Sequence, residues 1–144
     1  MTPTQMAVER TSDQQLTRLL EAYEAFASGH LERIPELFDP TGFYRTSGKF
    51  PGMRDRYVGH DEIATFWHAA TEAWERLEIE TGQTIVGDNC VAAQVWLDGR
   101  GLGSGIDVRF EAGHVVRFRG LKIVEFLAFP DWNAAREHWD RLQL

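Results

Sequence analysis

A chain of 144 residues with 26% charged side chains and a net charge of −7 has the size and polarity of one globular domain able to bury a core. The acidic balance argues against a nucleic-acid partner, because phosphate binding needs a cationic face. A single cysteine, Cys90, allows no internal disulfide. With no apolar run long enough for a bilayer and no leader-like opening, a cytoplasmic protein without membrane contact is expected.

Residues 1–11 read as a flexible lead-in, and residues 12–143 as the single domain. Ser12 followed three residues later by Gln15 has the form of a capping box, and Leu16, Leu19, Leu20, Tyr23, Phe26 and Ala27 recur at helical spacing up to a stop at Gly29. A short second helix is expected from His30 to Phe38, broken by Asp39-Pro40, and then a strand from Thr41 to Ser47. Gly48 to Gly59 reads as a loop, either a lid or a plain connection. A third helix is expected from His60 to Leu77, its stripe of Ile63, Phe66, Trp67, Ala70 and Trp74 facing a sheet. Strands follow at Glu78–Val86 and Val91–Arg100, joined by a turn at Gly87-Asp88-Asn89. After a glycine-rich turn at Gly101–Gly105 come a long strand and a shorter one, Lys122–Phe129. Pro130-Asp131 opens a last helix with Trp132, Ala135, Trp139 and Leu142 on its buried side.

The long strand is the most informative segment. Every second residue from Ile106 is apolar (Val108, Phe110, Ala112, Val116, Phe118), except His114, while Asp107, Arg109, Glu111, Arg117 and Arg119 fill the other register. Such alternation marks a strand with one buried face. A lone imidazole in that row is costly unless satisfied. It is either an acid/base or hydrogen-bond donor on a pocket wall, or a core histidine tied to a carbonyl or hydroxyl. Tyr44 and Arg45 alternate, so only one faces inward; Arg45 is a pocket cation or a surface partner of an acid such as Asp39. A two-residue hairpin loop at Gly103-Ser104 would turn Val95 and Leu97 inward, whereas a three-residue loop would turn Trp96, Asp98 and Arg100 inward. On the last strand Val124, Phe126 and Ala128 are expected inside, with Ile123, Leu127 and Phe129 opposite. Two apolar faces suggest that a second copy of the chain covers the outer one. No histidine or cysteine pair has metal-ligand spacing and no phosphate loop is present, so neither a metal site nor a cofactor is expected.

The element order and several segments carry a resemblance. They are Ala27-Ser28-Gly29-His30-Leu31 through Asp39-Pro40, Tyr57-Val58-Gly59-His60-Asp61-Glu62-Ile63, Gly101 to Ile106, and Val116 to Ile123. Together they resemble the SnoaL-like branch of the nuclear-transport-factor-two-like superfamily, home of polyketide cyclases and ketosteroid isomerases. The resemblance implies an α+β fold: a cone-shaped curved antiparallel sheet wrapped around a long helix, with an N-terminal helix pair and a C-terminal helix. It implies a pocket walled by Tyr23, Phe26, Phe66, Trp67, Trp74, Trp96, Phe110, Val116, Phe118 and Phe126. His114 falls where the isomerases hold a protonated Asp, but their base falls at about Arg45 and their oxyanion Tyr near Ala22, with Tyr23 one step away and directed elsewhere. The activity implied is a cofactor-independent proton transfer (cyclisation, isomerisation or dehydration) on a small hydrophobic, aromatic or polycyclic carbonyl metabolite. His114 would be the acid/base, with Arg45 or Tyr44 orienting an oxygen. The alternatives are a binding or dimerisation module without turnover, and an epoxide-hydrolase-like set at Asp98/Arg100. The family's usual homodimers agree with the covered outer face.

Overall fold

The computed structural model describes residues 2–47 and 54–143. Four helices and six strands follow in the order α1 (Pro3–Ser28), α2 (Arg33–Glu36), β1 (Phe38–Arg45), β2 (Arg56–Val58), α3 (Gly59–Glu72), β3 (Trp74–Gly87), β4 (Cys90–Gly101), β5 (Asp107–Arg119), β6 (Lys122–Phe129) and α4 (Trp132–Leu142). The first helix starts far earlier than Ser12. Thr2 and Gln5 form a reciprocal capping box and Pro3 occupies the first turn, where its missing N–H costs nothing. The stretch expected as a lead-in is therefore helical from Pro3. The similar Ser12/Gln15 pair lies mid-helix and points across the molecule instead. Ser12 donates to the Gly87 carbonyl, and the fully buried Gln15 amide donates to Asn89 Oδ1 (2.9 Å) and the Gly120 carbonyl (2.8 Å). These bonds tie α1 to the β3–β4 and β5–β6 turns. Gln15→Leu should strip both acceptors of their partner and lower stability by about 2 kcal/mol, read by urea denaturation.

The sheet runs β2-β1-β6-β5-β4-β3. It is open and mixed, because β1 lies parallel to β6 while the other pairs are antiparallel. The all-antiparallel expectation fails at this one pair: the whole meander separates β1 from β6, long enough for a parallel crossover. Three element boundaries also shift. The second helix shrinks to one turn, and Phe38 (1% exposed) opens β1 instead. The third helix stops at Glu72, so Trp74 begins β3 and pairs with Gly101. Pairing along β4 here overrides helical patterning. Part of the expected Gly48–Gly59 loop is strand β2, pairing with β1; residues 48–53, where a lid would sit, lie outside the described ones.

The core fills the concave face. Leu19, Phe26, Ile63, Phe66, Val95, Val116, Phe118 and Phe126 meet there, from α1, α3 and the sheet. A register shift between Arg117 and Phe118 passes over Val124 on β6, which brings Ile123 opposite Phe118 and into this core. The expectation puts Ile123 outside and Val124 inside; the bulge instead turns Ile123 into the core and leaves Val124 half-buried and without a pairing partner on β5.

The convex face carries α4. Trp132, Ala135 and Trp139 pack with Cys90, Ala92 and Val115, and Phe129 joins from β6. The apolar outer surface read as a subunit interface is thus covered, in this stretch, by the chain's own C-terminal helix. The expectation of a homodimer through that face loses its reason. Asp131 caps α4 by accepting from Ala134 N–H, and Glu111 accepts from Trp132 N–H at 2.6 Å. Leu142, expected on the buried side, stays 43% exposed.

Candidate functional site

Inside the cone lies a narrow cavity of about 40 Å³, room for about three waters by the usual measure. Six rings form a closed belt around it. Tyr23 meets His114 (centroids 5.5 Å apart), His114 meets Phe126 (4.8 Å), Phe126 meets Tyr44 (5.2 Å), Tyr44 meets Trp67 (5.2 Å) and Trp67 meets Phe26 (5.1 Å). Phe26 returns to Tyr23 one turn back on α1, as residues three apart share a helix face. Ile34, Ile79, Leu97, Phe110, Ala112 and Ala128 supply most of the remaining wall.

The belt holds one buried polar contact, Tyr23 Oη to His114 Nδ1 at 2.6 Å. Burial pushes the His114 pKa down to about 3 and the Tyr23 phenol well above its ordinary range, the latter with a smaller push from Tyr44. Both groups are neutral at any ordinary pH. Either the phenol donates to Nδ1 and Nε2 carries the imidazole proton, or Nδ1–H donates to the phenol oxygen and the phenol proton is free. In both arrangements one proton remains for a third partner. Burial likewise raises the Tyr44 pKa, so that phenol stays a neutral donor. Trp67 Nε1 is buried without a hydrogen-bond partner.

The expected pocket residues divide by depth and by face. Tyr23, Phe26, Trp67, Phe110 and Phe126 line the cavity, as does Tyr44. Phe66, Val116 and Phe118 are buried in the core behind it. Trp74 sits beside Phe110 (6.5 Å), lying where a side chain on Gly99 would otherwise be. Trp96 faces the other way, under the Arg109 guanidinium. The reason is the β4–β5 register: Trp96 pairs with Glu111 and Leu97 with Phe110, the phase of an even-numbered loop. The same register removes the epoxide-hydrolase set. Asp98 bonds Arg109, and Arg100 pairs with Glu75 and Asp107, all on the outer face. Arg45 is outside too, 5.1 Å over the Phe129 ring, because Tyr44 takes the inward position. Asp39 pairs with Arg119 instead. Tyr23, expected to be directed away, points into the cavity and bonds His114. Its spacing from Phe26 on one helix face was the available signal; the partnership with His114, 91 residues away, had none. Ala22, Ile34, Ser47, Ile79, Ala112 and Ala128 also line the cavity and are not among the residues expected there. Two roomier hollows, about 260 Å³ and 430 Å³, open on the surface among Glu21, Glu24 and Arg33, and among Arg76, Asp98 and Asp107; a ligand there would stay hydrated.

Residues 19–126 match the model of the SnoaL-like domain. The chain belongs to the SnoaL-like domain family. No curated protein matches it. Among solved structures, an NTF2-like protein of unknown function from Burkholderia pseudomallei K96243 superposes with a TM-score of 0.74 at 17% identity, covering 86% of this chain and 95% of that one. A protein of ketosteroid isomerase-like fold from Catenulispora acidiphila DSM 44928, solved in complex with trimethylamine, gives 0.71 at 13% identity, over 79% and 85% of the two chains. The epoxide hydrolase/cyclase-like enzyme SalBIII, of pyran ring formation in salinomycin, gives 0.68 at 17% identity, over 81% and 90%. These likenesses establish the cone fold of this SnoaL-like chain. A shared fold leaves the chemistry to the site. Among the described residues no group of three His, Cys, Asp or Glu could hold a metal ion, and no helix is long and apolar enough to cross a membrane.

Proposed function

We propose that this SnoaL-like protein takes a small apolar carbonyl compound into the cone and polarises its oxygen with the proton that the Tyr23–His114 pair has left to donate. The observation that carries this reading is the buried 2.6 Å contact between two neutral groups on the wall of a mostly apolar cavity, whose other polar lining residues are Tyr44, Ser47 and Trp67. A preorganised donor in a dry site is worth most where charge develops. An oxygen that gains charge as a proton leaves the neighbouring carbon is such a case, and isomerisation, cyclisation and dehydration beside a carbonyl all pass through it. With its pKa near 3, His114 acts as a neutral hydrogen-bonding group, not as an imidazolium acid. The cavity suits a small ligand; a polycyclic one requires Trp67 or Phe26 to move.

Native mass spectrometry of the purified protein identifies any co-purified compound, which then serves as substrate. His114→Ala and Tyr23→Phe should each lower turnover about a hundredfold. Unchanged turnover in both variants removes the proposal. One observation favours a second reading, binding without turnover: no carboxylate lines the cavity among the described residues, so no strong base faces a substrate carbon. In that case the bound compound is recovered unaltered, and the same variants weaken only its affinity.

A further inference from the structure

The apolar row on β5 does not end at the cavity. Phe110 is its last lining residue toward the β4–β5 turn, yet Val108 and Ile106 continue the same phase and are 39% and 62% exposed. Strand pairing carries the row sideways. Ile79, Leu97 and Phe110 lie abreast and all line the cavity, while Leu77, Gly99 and Val108 lie abreast one step further out. Gly99 leaves a gap in that outer row. The half-buried Trp74 fills it, its ring 2.7 Å from where a Cβ on Gly99 would stand. Ile106 comes next, its carbonyl accepting from Gly101 N–H at 3.0 Å. An apolar track, floored by Trp74 and edged by Leu77 and Val108, therefore leads from the cavity wall at Phe110 out to Ile106. Single exposed apolar residues are ordinary, but a strip of them continuous with a pocket is the mark of a binding groove.

The size of the cavity says what the groove would hold. Room for about three waters admits about three ligand atoms, the number in an acetyl group. Even at the best efficiency of very small ligands, three atoms bind no tighter than about millimolar, so affinity has to come from contact outside the cone. Resting on the carbonyl reading above, we infer that the ligand is elongated: its carbonyl end sits with Tyr23 and His114, and an unbranched apolar chain lies along Phe110, Trp74 and Val108 toward Ile106. Such a chain leaves the cavity without moving Trp67 or Phe26. From Phe110 the strand advances about 7 Å to Val108 and about 13 Å to Ile106. An extended carbon chain advances about 1.3 Å per bond, so about ten carbons cover the track.

Three methyl ketones test this, 2-butanone, 2-octanone and 2-tridecanone, titrated by NMR into the full chain. All carry the same acetyl end. In the wild type, the Val108 methyl resonances should shift with 2-octanone and 2-tridecanone but not with 2-butanone, and those of Ile106 with 2-tridecanone alone. Each methylene covered on one side should tighten binding about twofold, making 2-tridecanone about thirtyfold tighter than 2-octanone. Val108→Thr combined with Ile106→Thr keeps β-branching at two exposed positions and removes apolar surface; it should cut that ratio about fivefold. An affinity that stops rising before 2-tridecanone overturns the inference and leaves the carbonyl reading standing. Methyl resonances that respond alike to all three ketones overturn it too, and that measurement needs no variant. A wild type that self-associates at micromolar concentration in ultracentrifugation, where the double Thr variant does not, gives the track to a second copy of the chain and overturns the inference. Failure of all three ketones to bind overturns it together with the carbonyl reading. Binding of 2-butanone that survives His114→Ala overturns the carbonyl reading and leaves the contact between track and chain standing.

Discussion

Acidification from pH 7 to pH 4 should cost this protein roughly 3 kcal/mol of unfolding free energy beyond what the same change costs a His114→Gln variant. In the folded chain burial holds the His114 pKa at about 3, while in the unfolded chain it returns to about 6.5. Above that upper value the imidazole is neutral in both states and the stability is fully present. Between the two values the unfolded chain binds a proton that the folded chain refuses, so stability falls as the pH falls. Below the folded-state value, under pH 3, the loss is complete, at about 5 kcal/mol. His138, whose pKa burial and then Arg45 also lower, and Asp39, held low by its hydrogen bonds to Thr41, titrate in both proteins and cancel in the comparison. Urea denaturation at several pH values gives the two curves. If they run parallel, the imidazole meets water in solution, and the dry site on which the polarising donor depends does not exist. The same depressed pKa means that any activity should show no inflection from His114 between pH 5 and 8.

Gly113→Val should destabilise the protein by about 3 kcal/mol, the upper part of the range for overpacking. A Cβ at this position would lie 2.6 Å from Ala135 Cβ and 2.6 Å from the Asp131 carbonyl. Neither neighbour can yield alone. Position 113 is held between β4 and β6, opposite Gln94 and Phe129, and the start of α4 is anchored through Asp131 and Glu111. The helix as a whole must lift, uncovering Trp132 and Trp139, so tryptophan fluorescence should move to the red along with the lower urea midpoint. Ala135→Gly added to the variant removes one of the two collisions and should restore part of the loss. A Gly113→Val protein of wild-type stability would mean that α4 does not rest on the convex face in solution, and that face would again be open to a second copy of the chain.

Much of this molecule was legible in its residues. The alternation from Phe110 to Phe118 assigns each side chain to a face correctly, and the Lys122–Phe129 strand and the last helix fall within a residue of their expected limits. These are local properties, set by period-two and near-four-residue spacing and by side chains that cap or break. What failed was whatever depended on phase or partner. Trp74 joins a strand because β4 is there to pair with it. Ile123 enters the core because one residue bulges. Trp96, Asp98 and Arg100 face outward because a loop has an even count.

The sequence by itself determined the kind of element at most positions, the apolar wall and the one ionisable group set within it, since each of these is written in the spacing of neighbours along the chain. Only the tertiary structure decided that Tyr23 is the partner of His114, that Arg45 stands outside, and that the C-terminal helix covers the convex face. Those outcomes turn on contacts between distant segments and on a strand register in which one residue more or less reverses every side chain, and no local pattern encodes that count.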